Sequence, residues 1–204
     1  MPKLVPAIAV VAIAVAAGFL AGRWWPAEPP ALQTSTALFG QERALPEFAL
    51  TDHTGAAYTR RHLTDGWTLL FFGYTHCPDI CPITLATMSA SVNAIAALGG
   101  EAPRVVFVSV DPERDAPRSL RAYVTTFRDD FLGVTGPHEE LRKLTRALGV
   151  AYARGGDDPE YLVEHSAALL LVNPKGELQA VFGPPHAPDA IARDFVAIRR
   201  HLES

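Results

Sequence analysis

Cysteine is nearly absent from this chain. Two cysteines in 204 residues cannot build a disulfide scaffold or a four-cysteine zinc module. The fold must stand on its core, and the pair is free to do chemistry. An excess of positive charge is also missing: 18 Lys and Arg against 22 Asp and Glu give a net charge of -4, with a pI near 6.0. That balance argues against a nucleic-acid partner, which demands a basic face. Charge is sparse overall, at 20% of residues against 49% hydrophobic, which excludes wholesale disorder. Repeats are lacking, and low complexity is confined to a short proline-containing stretch. The length suits one domain with an appendage.

The appendage is at the N-terminus. Leu4 to Gly22 carries no charge and is bracketed by Lys3 and Arg23. As a helix this run is about 28 Å long, close to the hydrocarbon thickness of a bilayer. Trp24 and Trp25 follow, and indoles favour the headgroup region. A cleaved signal peptide is the rival reading, but its apolar region is shorter and ends in a small-x-small site. Here Ala14-Val15-Ala16 and similar triplets lie inside the run. A core helix would show a polar face, which is missing. Residues 1–25 therefore read as an uncleaved, single-pass anchor. A slight positive-inside bias puts the N-terminus in the cytoplasm and the body in the periplasm or its equivalent, on the inner membrane. A disulfide can cycle there. Pro26, Pro29 and Pro30 stiffen the exit, and residues 26–41 read as a spacer.

Residues 42–204 alternate strands and helices. Phe48 to Leu50 and Ala57-Tyr58, flanking Asp52 to Gly55, read as a small hairpin. Trp67 to Phe72, Arg104 to Val110 and Ala167 to Val172 are apolar runs of strand length, and Asn173 to Gly176 turns the last into Glu177 to Phe182. Runs this uniformly apolar belong to a sheet covered on both faces. Helices are expected over Pro82 to Leu98, Pro117 to Phe127, His138 to Leu148 and Asp189 to Leu202. The class is α/β and the order is thioredoxin-like, with an added N-terminal hairpin and a transmembrane helix in front.

Cys77 and Cys81 lie in Phe71 to Pro82 (FFGYTHCPDICP), where a central strand hands over to a helix. Open α/β sheets put their sites there. Pro82 suits the first helical position. Cys81 then falls near the N-cap and Cys77 in the preceding turn, both facing the positive end of a helix dipole that favours thiolate. The C-x3-C spacing is wider than the C-x2-C of thioredoxin redox motifs. It lets two sulfurs approach a common point without requiring a bond between them, while a disulfide remains open to modest loop adjustment. Two close thiolates suit a soft ion, Cu(I) above all. A static disulfide or two inert core cysteines is the bland alternative.

Seven histidines compete to be a third ligand. His76 adjoins Cys77, but adjacent residues tend to point apart. His53, His62, His138, His186 and His201 fall in turns or on solvent faces. His165 stands just before the strand Ala167 to Val172. In thioredoxin-like proteins that approach faces the cysteines and commonly carries a cis-proline, which is missing here, so an imidazole can reach the sulfurs. Glu164 should point the other way. Asp79 either gives an oxygen to an oxidised metal or caps a turn. Asp111 to Asp115 reads equally as a salt-bridged turn with an N-cap for the next helix or as a functional group.

With these residues in hand, the chain resembles the Sco/SenC family of membrane-anchored copper-binding proteins. The resemblance is carried by FFGYTHCPDICP at 71–82, DPERDAP at 111–117 and VEHSAALLLVNPKGEL at 163–178. Departures are Glu164, where the family usually has Asp, and Ala116, where Thr is common. The resemblance implies copper, Cu(I) and also Cu(II), held by Cys77, Cys81 and His165. It also implies help in assembling the dinuclear copper site of cytochrome c oxidase, with subunit II or another copper-site protein as partner. Such a metallochaperone is not a conventional enzyme. The alternative is a membrane-anchored thiol-disulfide oxidoreductase in which Cys77 attacks and Cys81 resolves. Peroxidase chemistry ranks last, because peroxiredoxins place a Thr three residues before their cysteine, where this chain has Tyr74.

Overall fold

The computed structural model describes residues 28–156 and 160–203. The expected anchor over 1–25 lies outside the described residues. Strands β1 (Ser35–Ala37), β2 (Arg43–Ala44), β3 (Ala49–Asp52) and β4 (Ala57–Thr59) come first, then a short 3-10 turn at Arg60–Leu63. The body continues as β5 (Thr68–Gly73), α1 (Ile80–Ala97), β6 (Arg104–Ser109), α2 (Pro117–Thr125), β7 (Leu132–Thr135) and α3 (His138–Leu148). It closes with β8 (Tyr152–Arg154), β9 (Val163–His165), β10 (Leu169–Val172), β11 (Glu177–Phe182) and α4 (Pro188–Glu203).

The main sheet runs in the order β1-β11-β10-β5-β6-β7-β3-β4, with β2 also on β11. β5, β6 and β7 are parallel neighbours, and β10 and β11 are antiparallel additions. Every residue of β5 and β10 is buried, which is why their sequences show no alternation: the sheet is covered on both faces. Phe71, Phe72 and Phe107 are fully buried at its centre, each contributing roughly 1.5–3 kcal/mol of apolar burial. α1 packs against α4, and α2 packs on β7.

The register brings three segments to one end of the sheet. Gly73 ends β5 opposite Ser109, which ends β6, so the cysteine loop and the Asp111–Asp115 turn leave side by side. β10 begins at Leu169 beside Phe71, so the chain carrying His165 arrives at the same end. That is where parallel sheets present their sites.

Several expectations shift. α1 begins at Ile80 rather than at Pro82, with Asp79 as N-cap. Pro82 is thus third in the helix, still within the first turn, whose amides have no partner inside the helix. Among the described residues α1 is the helix long and apolar enough to cross a membrane. Its stripe Cys81, Leu85, Met88, Val92 and Ile95 is nonetheless buried in the domain, so it is a core helix. The expected hairpin is real, but it joins the main sheet through β3 and β7. β7 has only four residues, preceded by Asp129-Asp130, and is too short to register as an apolar run. β8 and β9 form a separate two-stranded sheet.

Within the expected spacer, Ser35–Ala37 is a strand on β11. A carboxylate on α4 holds it there. Asp194 accepts hydrogen bonds from the amides of Gln33, Thr34 and Ser35 at 2.8, 2.8 and 2.9 Å, and from the hydroxyls of Thr34 and Ser35. Burial alone would raise the Asp194 carboxyl, but these donors outweigh it and hold it below the usual range. A carboxyl lowered in the folded state contributes stability that is present above its unfolded value and lost as pH falls through the folded one. Asp194→Ala is expected to cost roughly 1.5–3 kcal/mol near neutral pH and to flatten the acid limb below about pH 4. Urea titrations of the compact body Ala31–Ser204 across pH check this; an unchanged acid limb would contradict it.

Candidate metal centre

Two buried free thiols and one imidazole converge at this end of the sheet. The ligand atoms of Cys77, Cys81 and His165 all lie within 4.8 Å of one another, and Cys81 Sγ is 3.3 Å from His165 Nε2. Cys77 sits in the turn before α1, its amide donating to the Tyr74 carbonyl. Its sulfur accepts from the Cys81 amide at 3.4 Å. Cys81 occupies the first turn of α1 and is fully buried, whereas Cys77 retains 8% exposure.

Local structure leaves room for the Cys81 sulfur at one point. A Cβ at Gly73 would lie 2.6 Å from Cys81 Sγ and 2.8 Å from a ring carbon of Phe107. Residue 73 must therefore lack a side chain for sulfur and sheet to meet. The next residue, Tyr74, is buried. Its ring meets the His165 ring edge-on at 5.9 Å, and Phe71 flanks the same imidazole at 6.0 Å.

The imidazole is set up as a neutral donor. Its Nδ1 lies 3.2 Å from the Ser166 carbonyl, an acceptor only, so Nδ1 carries the proton and Nε2 keeps a lone pair facing Cys81. Burial lowers the His165 pKa, outweighing the Ser166 and Phe72 carbonyls that favour the cation. Ligating histidines are held by such a bond on the far nitrogen.

Cys81 corrects the dipole expectation. Burial pushes the Cys81 thiol well above its ordinary value, and the Cys77 sulfur and Asp115 push the same way. Cys81 lies on the inner face of the helix end, where desolvation outweighs the dipole. Its thiolate needs a positive charge placed against it, so a metal cation would expel a proton as it binds. Two sulfurs and a neutral nitrogen are soft donors that fit Cu(I) and fit hard cations poorly.

The remaining candidates stand apart. His76 is exposed, lies 3.6 Å from Asp115 and is not in the ligand group. His53 accepts from the Gly133 amide, His62 from the Thr59 amide, and His138 bonds Glu113 and Tyr152. His201 stacks edge-on against Phe39. His186 is half-buried rather than on a solvent face, donating to the Ala167 carbonyl at 2.7 Å. Asp79 is exposed, makes no side-chain cap and is not in the ligand group. Glu164 is exposed, as the alternation of an extended segment requires.

Asp115 is the residue that sequence reasoning undervalued. It does not cap α2, whose N-cap is Ala116. It is fully buried and accepts from the Thr75 amide and hydroxyl at 2.8 and 2.5 Å and from the Ser109 hydroxyl at 2.6 Å. Its distance from the cysteines in sequence hid this, although the DPERD cluster was visible.

A thioredoxin-like α/β domain with a Cys-Cys-His centre at the carboxyl end of its parallel strands is thus defined. The SCO1/SenC family matches residues 37–200, and the chain belongs to that family. It is 36% identical over 162 residues to a Stutzerimonas stutzeri protein, covering 79% of each. Against the mitochondrial protein SCO1 homolog of Homo sapiens it is 38% identical over 158 residues, covering 75% of this chain and 52% of that protein. The chain thus spans about half the length of that relative. Among solved structures, Arabidopsis thaliana ScoI with copper bound superposes with a TM-score of 0.73 at 35% identity, covering 76% of this chain and 97% of that one. Bradyrhizobium japonicum ScoI with copper bound gives 0.67 at 32% identity, covering 78% and 99%.

Gly73→Ala is expected to destabilise the domain by about 1–3 kcal/mol through overpacking. Part of that loss should return in Gly73→Ala/Cys81→Ala, where the sulfur is gone. Denaturant midpoints of the four proteins in this cycle decide it; strict additivity would place the clash on Phe107 alone.

Proposed function

We propose that this chain is a copper metallochaperone that binds copper through Cys77, Cys81 and His165. The observation that carries the reading is the convergence of three soft ligand atoms within 4.8 Å, in a family whose Arabidopsis and Bradyrhizobium members hold copper. The cargo is Cu(I), with Cu(II) as its oxidised form, and the destination is the dinuclear copper site of cytochrome c oxidase, reached by docking on subunit II. The charge-free run at 4–22 tethers the domain to the inner membrane, with the centre on the periplasmic side or its equivalent.

The chemistry follows from the donors. The His165 lone pair is already free, so loading displaces protons only from sulfur. Cys77, the more exposed sulfur, is the ligand through which an incoming donor exchanges first. A three-coordinate site leaves room for that exchange, and ligands can pass to the partner one at a time.

A second reading is thiol-disulfide exchange, favoured by the nearness of the two thiols. Cys77 would attack as the accessible sulfur and Cys81 would resolve. The two roles connect, because copper loading requires both thiols reduced.

Titration of the reduced soluble body with Cu(I) against a competing chelator tests the proposal. Stoichiometric binding is expected, abolished at tight-binding concentrations by Cys77→Ser or Cys81→Ser. His165→Ala should weaken it by about tenfold or more while still forming the disulfide. Equal affinity of the His165 variant and the parent would sink the three-ligand site.

A further inference from the structure

Between the cysteine loop and the histidine strand stands the turn Asp111–Asp115, whose side chains reach in both directions. On one side Asp115 grips Thr75, two residues before Cys77, through amide and hydroxyl. On the other, Asp111 accepts from the Tyr161 hydroxyl at 2.5 Å, four residues before His165. Asp111 is itself fixed by Arg114 Nε at 2.6 Å and by the Ser109 hydroxyl, which meets its amide at 3.1 Å. That same Ser109 hydroxyl donates to Asp115, so the two grips share one root at the end of β6. Arg114 also lies over the Tyr161 ring at 3.6 Å, and Arg154 of β8 lies over that ring at 3.8 Å. Asp111, Asp115 and Tyr161 are all buried.

We propose that this turn is a clamp whose Asp111 and Tyr161 are positioning residues for His165, and whose Asp115 positions the thiol loop. The inference rests on the three-ligand copper reading. Neither carboxylate is a ligand: Asp111 is taken up by Arg114 and Tyr161, and Asp115 by Thr75 and Ser109. The physical need is plain. Cys81 is fixed by α1 and the sheet, whereas His165 hangs on the small β8–β9 sheet, which shares no strand pairing with the main one. The Tyr74 ring packs edge-on against the imidazole beside the cysteines, and Tyr161 ties the small sheet to the end of β6. A ligand so held needs less ordering when the ion arrives, and preorganisation of that kind appears as affinity.

A double-mutant cycle reads this directly, using Cu(I) competition on the soluble body. Tyr161→Phe keeps the ring under the two guanidiniums and removes only the hydroxyl. It is expected to weaken Cu(I) binding about three- to tenfold when His165 is present, and by less than about twofold in the His165→Ala background. Thr75→Val, on the cysteine arm, should weaken binding similarly in both backgrounds. Equal losses for Tyr161→Phe with and without His165 would show a merely structural role, and no loss in either would remove the clamp; both overturn the proposal. Failure of the underlying copper reading looks different, because His165→Ala alone would then match the parent. Should Tyr161→Phe fold poorly, Arg154→Gln, which thins the cover on the same ring from the exposed side, is expected to show a smaller loss with the same dependence on His165.

Discussion

The Cys81 sulfur lies only 2.6 Å from the point where a side chain on residue 73 would begin, at the end of a strand buried along its whole length. From that close approach the rest of the site follows. The helix can enter the sheet end only with its first turn against Gly73, which fixes Cys81 and folds Cys77 into the turn before it. The sulfur is thereby stripped of water, which makes the bare thiolate costly and a cation welcome. A soft ion is the partner that repays the desolvation without demanding a coordination shell the site does not contain.

Holding three ligands around such a point is a problem of topology before chemistry. The cysteines belong to the turn after β5, and the histidine lies 84 residues further on from Cys81. The sheet solves most of it by register, since Phe71 pairs with Leu169 and Gly73 with Ser109. What register leaves loose, buried polar groups secure. A buried carboxylate with several donors is costly to disrupt, because each released partner is left unsatisfied. Asp115 therefore makes a firmer fixing for Thr75 than an apolar contact of similar size.

Much of this was legible in the sequence for a physical reason. Fully buried strands announce themselves as unbroken apolar runs, as in Thr68–Gly73 and Leu169–Val172, and the cysteines and His165 sit at their ends. The same logic explains what stayed hidden. Ser35–Ala37 reads as a spacer because its place is fixed by Asp194, some 160 residues away, and not by its own pattern. β7 is too short, and β8 and β9 lie outside the main core. Tyr161 shows nothing in its neighbours that distinguishes it from any loop tyrosine. Its role exists only once the β6 turn and the β8–β9 sheet are brought together. At Cys81 the thiolate expectation erred for a related reason, since a dipole can be read from helix polarity but burial cannot.

The clamp and the thiols pull against each other electrostatically. Asp115 raises the Cys81 thiol further, so the group that orders the cysteine loop also disfavours its charged form. Arg114, paired with Asp111, also acts on Asp115 at longer range, while the direct donors to Asp115 are the neutral groups of Thr75 and Ser109, with His76 3.6 Å away. The tension has a useful sign. A site whose thiolates were stable by themselves would hold copper against any recipient and would expose a standing nucleophile. Here the charged form of Cys81 is stabilised chiefly by the ion, and two thiolates outweigh one monovalent cation by a single negative charge. When the ion leaves, Cys81 can take back a proton. Geometry supplied by Asp111, Asp115 and Tyr161 favours capture, while burial and the nearby carboxylate favour release, and a carrier needs both.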